Sequence, residues 1–148
     1  MNRLMVSASM NSNKDFIIFN SLAKDSLGLS SSTNRVLFVH APFKAEDLGE
    51  LLIQAFKICK EAPYLTENIK GNLHEVVGIK TVSQFVKEYA QVMITLDTDK
   101  EIYVYSPMKR YKTKGYLREK GDVEIQIPQI SLSSVIGENL MESFEWSK

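Results

Sequence analysis

The stretch that most constrains the fold of this chain is 78–111, because its apolar periodicity changes from helical to extended within a few residues. It opens near Thr81, which begins the T-x-x-Q spacing of a capping box. Apolar residues then recur on one helical face, at Val82, Phe85, Val86, Tyr89 and Ala90. Two β-branched runs, 92–96 and 102–105, enclose the polar, turn-forming segment 97–101. The stretch therefore predicts a helix followed by a β-hairpin.

The rest of the chain mixes strands and helices. Short apolar or alternating runs predict strands at 16–19, 35–40 and 123–127. Longer amphipathic patterns predict one helix over 45–60 and another from Ser131 or Ser133 to about Glu145. Loops are predicted at 24–34 and 64–77, which contain glycine and asparagine.

These elements predict an α+β fold, with a mainly antiparallel sheet packed against about three helices. Length and composition fit a single domain that spans residues 1–148. The first fifteen residues are mostly polar and rich in serine and asparagine. We therefore expect residues 1–15 to be frayed, apart from a short strand over 4–7.

Two of the predicted helices repeat one pattern. Residues 46–56 (EDLGELLIQAF) align with residues 134–144 (SVIGENLMESF), and the alignment superposes Gly49 on Gly137. A glycine inside a helix costs about 1 kcal/mol relative to alanine. The shared phase suggests that each first turn packs closely on a neighbour. Two amphipathic helices can also resemble each other by pattern alone, and the single sequence leaves both interpretations open.

Charge and hydropathy argue against several classes of protein. The 148 residues include 18 Lys+Arg and 18 Asp+Glu, and zero net charge argues against a general nucleic-acid or anionic-membrane binder. No apolar run approaches the ~18 residues of a membrane span, and the first residues lack the long apolar core of a signal peptide. The single cysteine, Cys59, cannot form an internal disulfide. These features predict a cytoplasmic protein.

Few residues are suited to catalysis. His40 ends an apolar strand and His74 lies in a predicted loop, and neither has a serine, cysteine or acid at the spacing of a catalytic triad. Cys59 falls on the apolar face of the long helix, as a core residue does. Asp97 and Asp99 have the spacing that begins a calcium loop, but the following glycine and the distant glutamate are missing. We therefore expect no enzyme, no metal site and no cofactor.

The segment 109–120 is basic and contains two aromatic residues, Tyr111 and Tyr116. One interpretation is an RNA-binding module, in which lysines contact phosphates and tyrosines stack on bases. The other is an edge hairpin whose lysines prevent edge-to-edge aggregation. Because the whole chain is neutral, we favour the second interpretation, or contact of the segment with a protein partner that has an acidic surface. The RNA-binding module stays as the alternative function.

Four blocks of the sequence stand in an order and spacing that match one known family. They are AEDLGELLIQAFKICKE (45–61), VGIKTVSQFVKEYAQVMITLDTDKEIYVYSPMKRY (77–111), DVEIQIP (122–128) and SSVIGENLMESF (133–144). Together they resemble the CdiI immunity proteins of contact-dependent growth inhibition systems. The resemblance implies a non-enzymatic cytoplasmic protein that binds and neutralises the C-terminal toxin domain of a cognate CdiA effector. Such toxins are often nucleases, commonly ribonucleases that attack tRNA.

The family motifs are mainly core and turn positions, so they do not identify an interface. We therefore predict the residues that contact the toxin from physical arguments. A nuclease presents a positive cleft, and an inhibitor that covers it should offer carboxylates with aromatic anchors. Loops are more suitable suppliers than helix cores. The predicted contacts are therefore Tyr64, Glu67, Asp97, Asp99, Glu101, Tyr111, Tyr116 and Glu119. The hairpin tip 97–101 is expected to be exposed, and no direct contact with nucleic acid or membrane is expected. Binding to the toxin away from its active site stays open as an alternative, and so does the oligomeric state.

Overall fold

A six-stranded antiparallel sheet forms the centre of the protein, in a computed structural model that describes residues 3–148. The strands are β1 Arg3–Asn11, β2 Phe16–Ser21, β3 Ala23–Lys24, β4 Ser30–Ser31, β5 Val36–His40, β6 Tyr89–Asp97, β7 Ile102–Pro107, β8 Lys109–Tyr111, β9 Gly115–Leu117 and β10 Ile125–Pro128. The helices are α1 Ala45–Glu61, α2 Leu73–Val76, α3 Val82–Glu88 and α4 Ser133–Trp146. The predicted α+β fold is confirmed, including the β6–β7 hairpin.

Strand β1 lies in the middle of the sheet, whose order is β10-β7-β6-β1-β2-β5. It pairs with β2 on one side and with β6 on the other. Alternate residues of β1 are buried in the main core, namely Leu4, Val6, Ala8 and Met10. The expectation that residues 1–15 are frayed is therefore wrong for 3–11, and residues 1–2 lie outside the described residues. The serines that suggested fraying alternate with the apolar residues and point to the other side of the strand.

Helices α1 and α4 cover one face of the sheet and build the main core with it. Helix α1 begins with Glu46 and Asp47, whose negative charges suit the positive end of the helix dipole. Its large buried side chains recur at helical spacing, at Leu48, Leu52, Phe56 and Cys59. Full burial of one such aliphatic or aromatic side chain stabilises a fold by about 2 kcal/mol. This helical layer therefore dominates the packing energy.

The other face of the sheet is partly covered by α2 and α3. A second apolar cluster there joins Ile18 of β2 to Phe85 of α3 and Tyr89 of β6. The rings of Phe85 and Tyr89 stack with their centroids 4.6 Å apart. The sheet is therefore packed on both sides over β2, and the acidic and basic residues of α3 lie on the side away from α1 and α4.

Helix α3 begins where the sequence predicts and ends earlier. The Thr81 hydroxyl accepts a hydrogen bond from the backbone N–H of Gln84 at 3.1 Å, which confirms the Thr81 half of the capping box. The Gln84 side chain instead donates to the Glu88 carboxylate at 3.4 Å. The helix ends at Glu88. Tyr89 and Ala90, predicted to be helical, belong to β6 because their backbones pair with β1. The pairing with β1, a strand from the distant N-terminal part of the chain, therefore outweighs the local helical pattern of these two residues.

Helices α1 and α4 approach each other most closely at the two glycines that the repeated pattern singles out. A Cβ on Gly49 would lie 1.9 Å from the Ser133 carbonyl oxygen, and a Cβ on Gly137 would lie 1.8 Å from the Ala45 carbonyl oxygen. Ala45 precedes Gly49 by four residues, as Ser133 precedes Gly137. The crossing is therefore approximately two-fold symmetric, and of the two interpretations of the repeated pattern the structure shows the close approach at both glycines.

The first turn of α4 differs from the prediction. Leu132 is the N-cap residue, and no side chain caps the helix. Ser131 instead donates its hydroxyl to the Pro128 carbonyl at 2.6 Å. Ser133 already lies inside the helix, where its carbonyl meets Gly49. The predicted cap by Ser131 or Ser133 is therefore wrong.

Tyr105 of β7 is fully buried, and its hydroxyl donates to the Ile136 carbonyl of α4 at 2.8 Å. Burial raises its pKa, so the folded protein retains the phenol proton to a higher pH than the unfolded chain, whose tyrosines ionise near pH ~10. This contribution to stability is complete below about pH 10 and is lost as the pH rises further. The free energy of unfolding, measured by urea denaturation, should therefore fall above about pH 10. The loss should be smaller in Tyr105→Phe, and equal losses in both proteins would contradict the assignment.

Candidate partner-binding surface

The tip of the β6–β7 hairpin presents fewer exposed carboxylates than the sequence suggests. Asp97 is only 8% exposed, and its carboxylate accepts the backbone N–H groups of Asp99 and Lys100, both at 3.1 Å. Its second oxygen lies 3.9 Å from the Arg3 guanidinium. The expectation that Asp97 is exposed is therefore wrong, because it closes its own turn. Asp99 and Glu101 are exposed at the tip.

The predicted contacts Tyr64 and Glu67 lie in the loop after α1, and both are exposed. Tyr64 leaves 62% of its surface exposed. The loop is held to β3 because Lys24 donates to the Pro63 carbonyl and accepts from the Leu65 N–H, both at 2.8 Å. It can therefore present Tyr64 from a fixed backbone.

The basic segment 109–120 forms the β8–β9 hairpin, and three of its cations are engaged with the fold. Lys109 pairs with Asp122 at 2.8 Å, and the Arg110 Nε donates to the Val86 carbonyl at 2.6 Å. The Arg118 guanidinium donates to the carbonyls of Pro107 and Val123 at 3.1 and 2.9 Å. These contacts favour a structural role for the segment over a phosphate-binding one.

The tyrosines of this hairpin differ in their surroundings. The Tyr116 hydroxyl donates to the Tyr89 carbonyl at 2.7 Å, and burial raises its pKa. Stacking on a base would require its ring to leave this position. Tyr111 is 49% exposed, and Glu119 is also exposed. Tyr111 and Glu119 are therefore the two predicted contacts of the segment that are open to a partner.

The predicted contacts occupy two ends of the sheet rather than one surface. The hairpin tip and the Tyr64 loop lie where β1 begins, since Arg3 contacts Asp97 and lines a small cavity with Pro63. The β8–β9 hairpin lies at the opposite end, since Tyr116 reaches the start of β6, which pairs with the end of β1. A partner of ordinary interface size covers about 800 Å² on each protein. Contact with both ends would need a larger partner surface.

Two exposed apolar side chains beside the tip were missed by the sequence prediction. Ile130 is 91% exposed and Leu132 is 73% exposed, in the loop 129–132 between β10 and α4. The Gln129 N–H donates to the Glu101 carbonyl at 2.8 Å, so this loop adjoins the hairpin tip. The signal was present in the sequence, because isoleucine and leucine alternate with glutamine and serine outside any periodic element.

Within residues 3–148, no group of three or more His, Cys, Asp or Glu side chains is placed to hold a metal ion. Cys59 is buried, and burial raises the pKa of its thiol, which disfavours the reactive thiolate. His40 packs against the Phe16 ring with centroids 5.1 Å apart, and the His74 Nε2 lies 3.7 Å from a Glu75 oxygen. Among the described helices, none is long and apolar enough to cross a membrane.

The architecture is a six-stranded antiparallel sheet with two long helices on one face and two short helices on the other, and solved structures share it over almost the whole chain. One is a protein of unknown function from Neisseria meningitidis, with a TM-score of 0.74 and 14% identity over 99% of this chain and 96% of that chain. Another is a chain of the CdiA-CT/CdiI toxin and immunity complex from Yersinia pseudotuberculosis, with a TM-score of 0.70 and 15% identity over 100% and 99% of the two chains. No protein-family model and no curated protein matches the sequence.

Proposed function

We propose that this chain is an immunity protein, which binds the toxin domain of a contact-dependent growth inhibition effector and neutralises it. The observation that carries the proposal is the fold shared over the full chain with a component of a toxin and immunity complex. The four sequence blocks that resemble CdiI proteins are a second line of support. They cover helices α1 and α4 and strands β6, β7 and β10.

The proposed mechanism is capture without catalysis, in the cytoplasm. A protein that only blocks another needs a preformed surface, and the exposed groups described above are carboxylates, tyrosines and aliphatic side chains on held loops. Because a free toxin kills, the complex should dissociate slowly, and most of its affinity should appear in the off-rate. We further propose that the toxin is a nuclease, whose cationic cleft would suit an acidic surface.

Co-expression with the C-terminal toxin domain of a candidate effector, identified among the genes that neighbour this one, tests the proposed function. Cells that make the toxin domain alone should stop growing, and cells that make both proteins should grow and yield a co-purifying complex. An immunity protein from an unrelated system serves as the negative control. Growth arrest in the presence of this chain, with no complex recovered, would overturn the proposal.

The exposed hairpin tip supplies a first contact prediction. Charge reversal at Asp99 and Glu101 should weaken binding of the toxin domain by about 10-fold or more, mainly through a slower on-rate that depends on salt. Asp97 is left intact, because its replacement would open the turn. Glu75→Lys on α2 with Glu88→Lys on α3 makes the same change of charge on the other side of the sheet. Equal affinities for the wild type and the tip variant, measured by calorimetry, would remove the tip from the interface.

RNA binding by the β8–β9 hairpin is the rival function. The dependence of binding on salt concentration distinguishes it from the proposed function. Affinity for RNA should fall steeply between low and physiological salt if phosphates are neutralised. We expect no retention of the wild-type protein on RNA even at low salt, because Lys109, Arg110 and Arg118 already have partners in the fold. Salt-sensitive retention that disappears on replacement of Lys112 and Lys114 would favour the rival.

A further inference from the structure

We infer that strand β5 pairs with β5 of a second copy of this chain, antiparallel and about a two-fold axis at Phe38. The two six-stranded sheets then join into one continuous sheet. The inference goes beyond the proposed function and does not depend on the identity of a toxin. Because both halves of the interface are the same strand, the chemistry of the partner is that of β5 itself.

The two edges of the sheet differ in how well they are protected against pairing. Strand β10 forms one edge, with Glu124 beside it and Pro128, which has no N–H to donate, at its end. Strand β5 forms the other edge, and its residues, VLFVH, include no proline and no lysine, aspartate or glutamate. Exposed edge strands are usually blocked by a charge or a proline, so β5 is the edge suited to a further strand.

Strand β5 presents one row of backbone groups to β2 and a second row outward. The Ser21 N–H donates to the Arg35 carbonyl at 3.1 Å, so the backbone groups of Arg35 face β2. Because this direction alternates along a strand, the residues whose backbone groups face outward are Val36, Phe38 and His40. In the part of the chain that the structure describes, the N–H and C=O groups of these three residues make no hydrogen bond.

The outward row is bounded at both ends and is symmetric about Phe38. Before the row, the Asn34 N–H already donates to the Ile69 carbonyl at 2.8 Å, and after it Pro42 has no N–H. A two-fold axis at Phe38 places Phe38 opposite Phe38 of the second copy, and the two outer residues of the row opposite each other. The three N–H and three C=O groups of each copy then all find partners, in six hydrogen bonds. A register shifted by one pair in either direction would leave outward groups unpaired.

An exposed aromatic stack lies at the centre of this edge. The Phe38 ring is 46% exposed, and it stacks on the Phe16 ring with centroids 5.6 Å apart and planes inclined by 13°. Residues directly opposite each other in a hydrogen-bonded antiparallel pair have Cα atoms about 5.5 Å apart, so the two Phe38 rings shield each other from water. His40 lies opposite Val36 in this register. No two ionised side chains therefore meet across the pair.

A second copy fits this edge better than the toxin does. The proposed toxin is a nuclease with a cationic cleft, and β5 carries no carboxylate that would attract one. A copy of β5 matches the outward row in length, in its bounded ends and in its central ring, because a two-fold interface uses the same surface on both subunits. The apolar edge therefore indicates self-association.

Sedimentation velocity of the full chain tests the inference over concentrations from about 5 to about 500 µM. The test variant is Phe38→Lys, which places two like charges opposite each other at the centre of the pair. The matched control is Gln126→Lys, which adds the same charge at an exposed position of the other edge strand, β10. Thermal unfolding of each protein verifies that it is folded.

Oxidative cross-linking tests the register. In Phe38→Cys the two introduced thiols lie across the axis, on Cα atoms about 5.5 Å apart, which is within the range of a disulfide. Gln126→Cys is the matched control, and the native Cys59 is buried. Under mild oxidation the Phe38→Cys protein should form a covalent dimer at least about 10-fold faster than the control does.

We expect the wild type to change from monomer to dimer as its concentration rises. Phe38→Lys should raise the dissociation constant of the dimer by at least about 30-fold, and Gln126→Lys should leave it unchanged. A dimer that both lysine variants form equally well would overturn the inference, and so would equal rates of cross-linking at positions 38 and 126. A wild type that stays monomeric would also overturn it, and loss of toxin binding in Phe38→Lys would then assign the edge to the toxin. The co-expression experiment tests the proposed function separately, so the two can fail independently.

Discussion

Replacement of Gly137 by alanine is expected to lower the free energy of unfolding by at least about 3 kcal/mol. The added methyl group would lie 1.8 Å from the Ala45 carbonyl oxygen and 2.6 Å from its carbon, and backbone atoms cannot rotate away as a side chain can. Helices α1 and α4 would have to separate by roughly 1 Å, which opens the close-packed core beneath them. The gain in helix propensity, about 1 kcal/mol, is too small to compensate.

The two-fold symmetry of the crossing makes a second, sharper prediction. Gly49→Ala should cost a similar amount, because its methyl group would meet the Ser133 carbonyl oxygen at 1.9 Å. The double variant should cost less than the sum of the single variants, because a separation that relieves one clash also relieves the other. Urea unfolding of the three proteins measures this coupling directly.

Gly115→Ala is the matched control for both glycine substitutions. No atom lies within 4 Å of the position that its Cβ would take, and its backbone does not require a left-handed conformation. The free energy of unfolding of Gly115→Ala should differ from that of the wild type by less than about 1 kcal/mol. It should rise if alanine reduces the conformational entropy of the unfolded chain. Equal losses at Gly115 and Gly137 would mean that the cost is general to glycine replacement and that the crossing is not the cause.

The sequence predicts best those elements whose pattern of apolar and polar residues lies within one short segment of the chain. The face of α1 and the β6–β7 hairpin follow from periodicity alone, and the shared phase of Gly49 and Gly137 indicated a close approach. The sequence could not show that α1 and α4 are partners of each other, because they meet only when the sheet brings both helices onto one of its faces. Strand β1 was mispredicted for a related reason, since its burial depends on β2 and β6 on its two sides.

The candidate site was predicted less well than the fold, because exposure is a property of the assembled surface. Asp97 has the composition of an exposed turn, yet its carboxylate turns back onto two backbone N–H groups. Tyr116 looks like a stacking residue in a basic segment, yet its hydroxyl is bound inside the protein. Ile130 and Leu132 have the composition of core residues and are exposed. At Asp97 and Tyr116 exposure is decided by the neighbours that the side chain meets in three dimensions, which the sequence does not give.

Arg35 is a second position where one substitution should have a large effect, and nothing in the local sequence singles it out. Its guanidinium joins the end of α1 to the end of β2. One nitrogen donates to the carbonyls of Ile58 and Ala62 at 3.0 and 2.9 Å, and the other donates to the Leu22 carbonyl at 3.2 Å. The Ile58 carbonyl also accepts the N–H of the C-cap residue Ala62 at 3.3 Å, and Arg35 adds a charged donor to this carbonyl and to that of Ala62, so the arginine takes the role of a cap.

Arg35→Ala should therefore lower the free energy of unfolding by about 3 kcal/mol, because three hydrogen bonds from a charged donor to the carbonyls of Ile58, Ala62 and Leu22 are lost. For a chain of this size that corresponds to a melting temperature lower by roughly 6–12 °C. Arg35→Lys should recover only a minor part of the loss, because an ammonium group lacks the planar fork that reaches both chain segments. Arg3→Ala is the matched control, since Arg3 is 69% exposed and its 3.9 Å ion pair with Asp97 should contribute less than about 1 kcal/mol. Full recovery in the lysine variant would attribute the effect of Arg35 to its charge instead of its geometry.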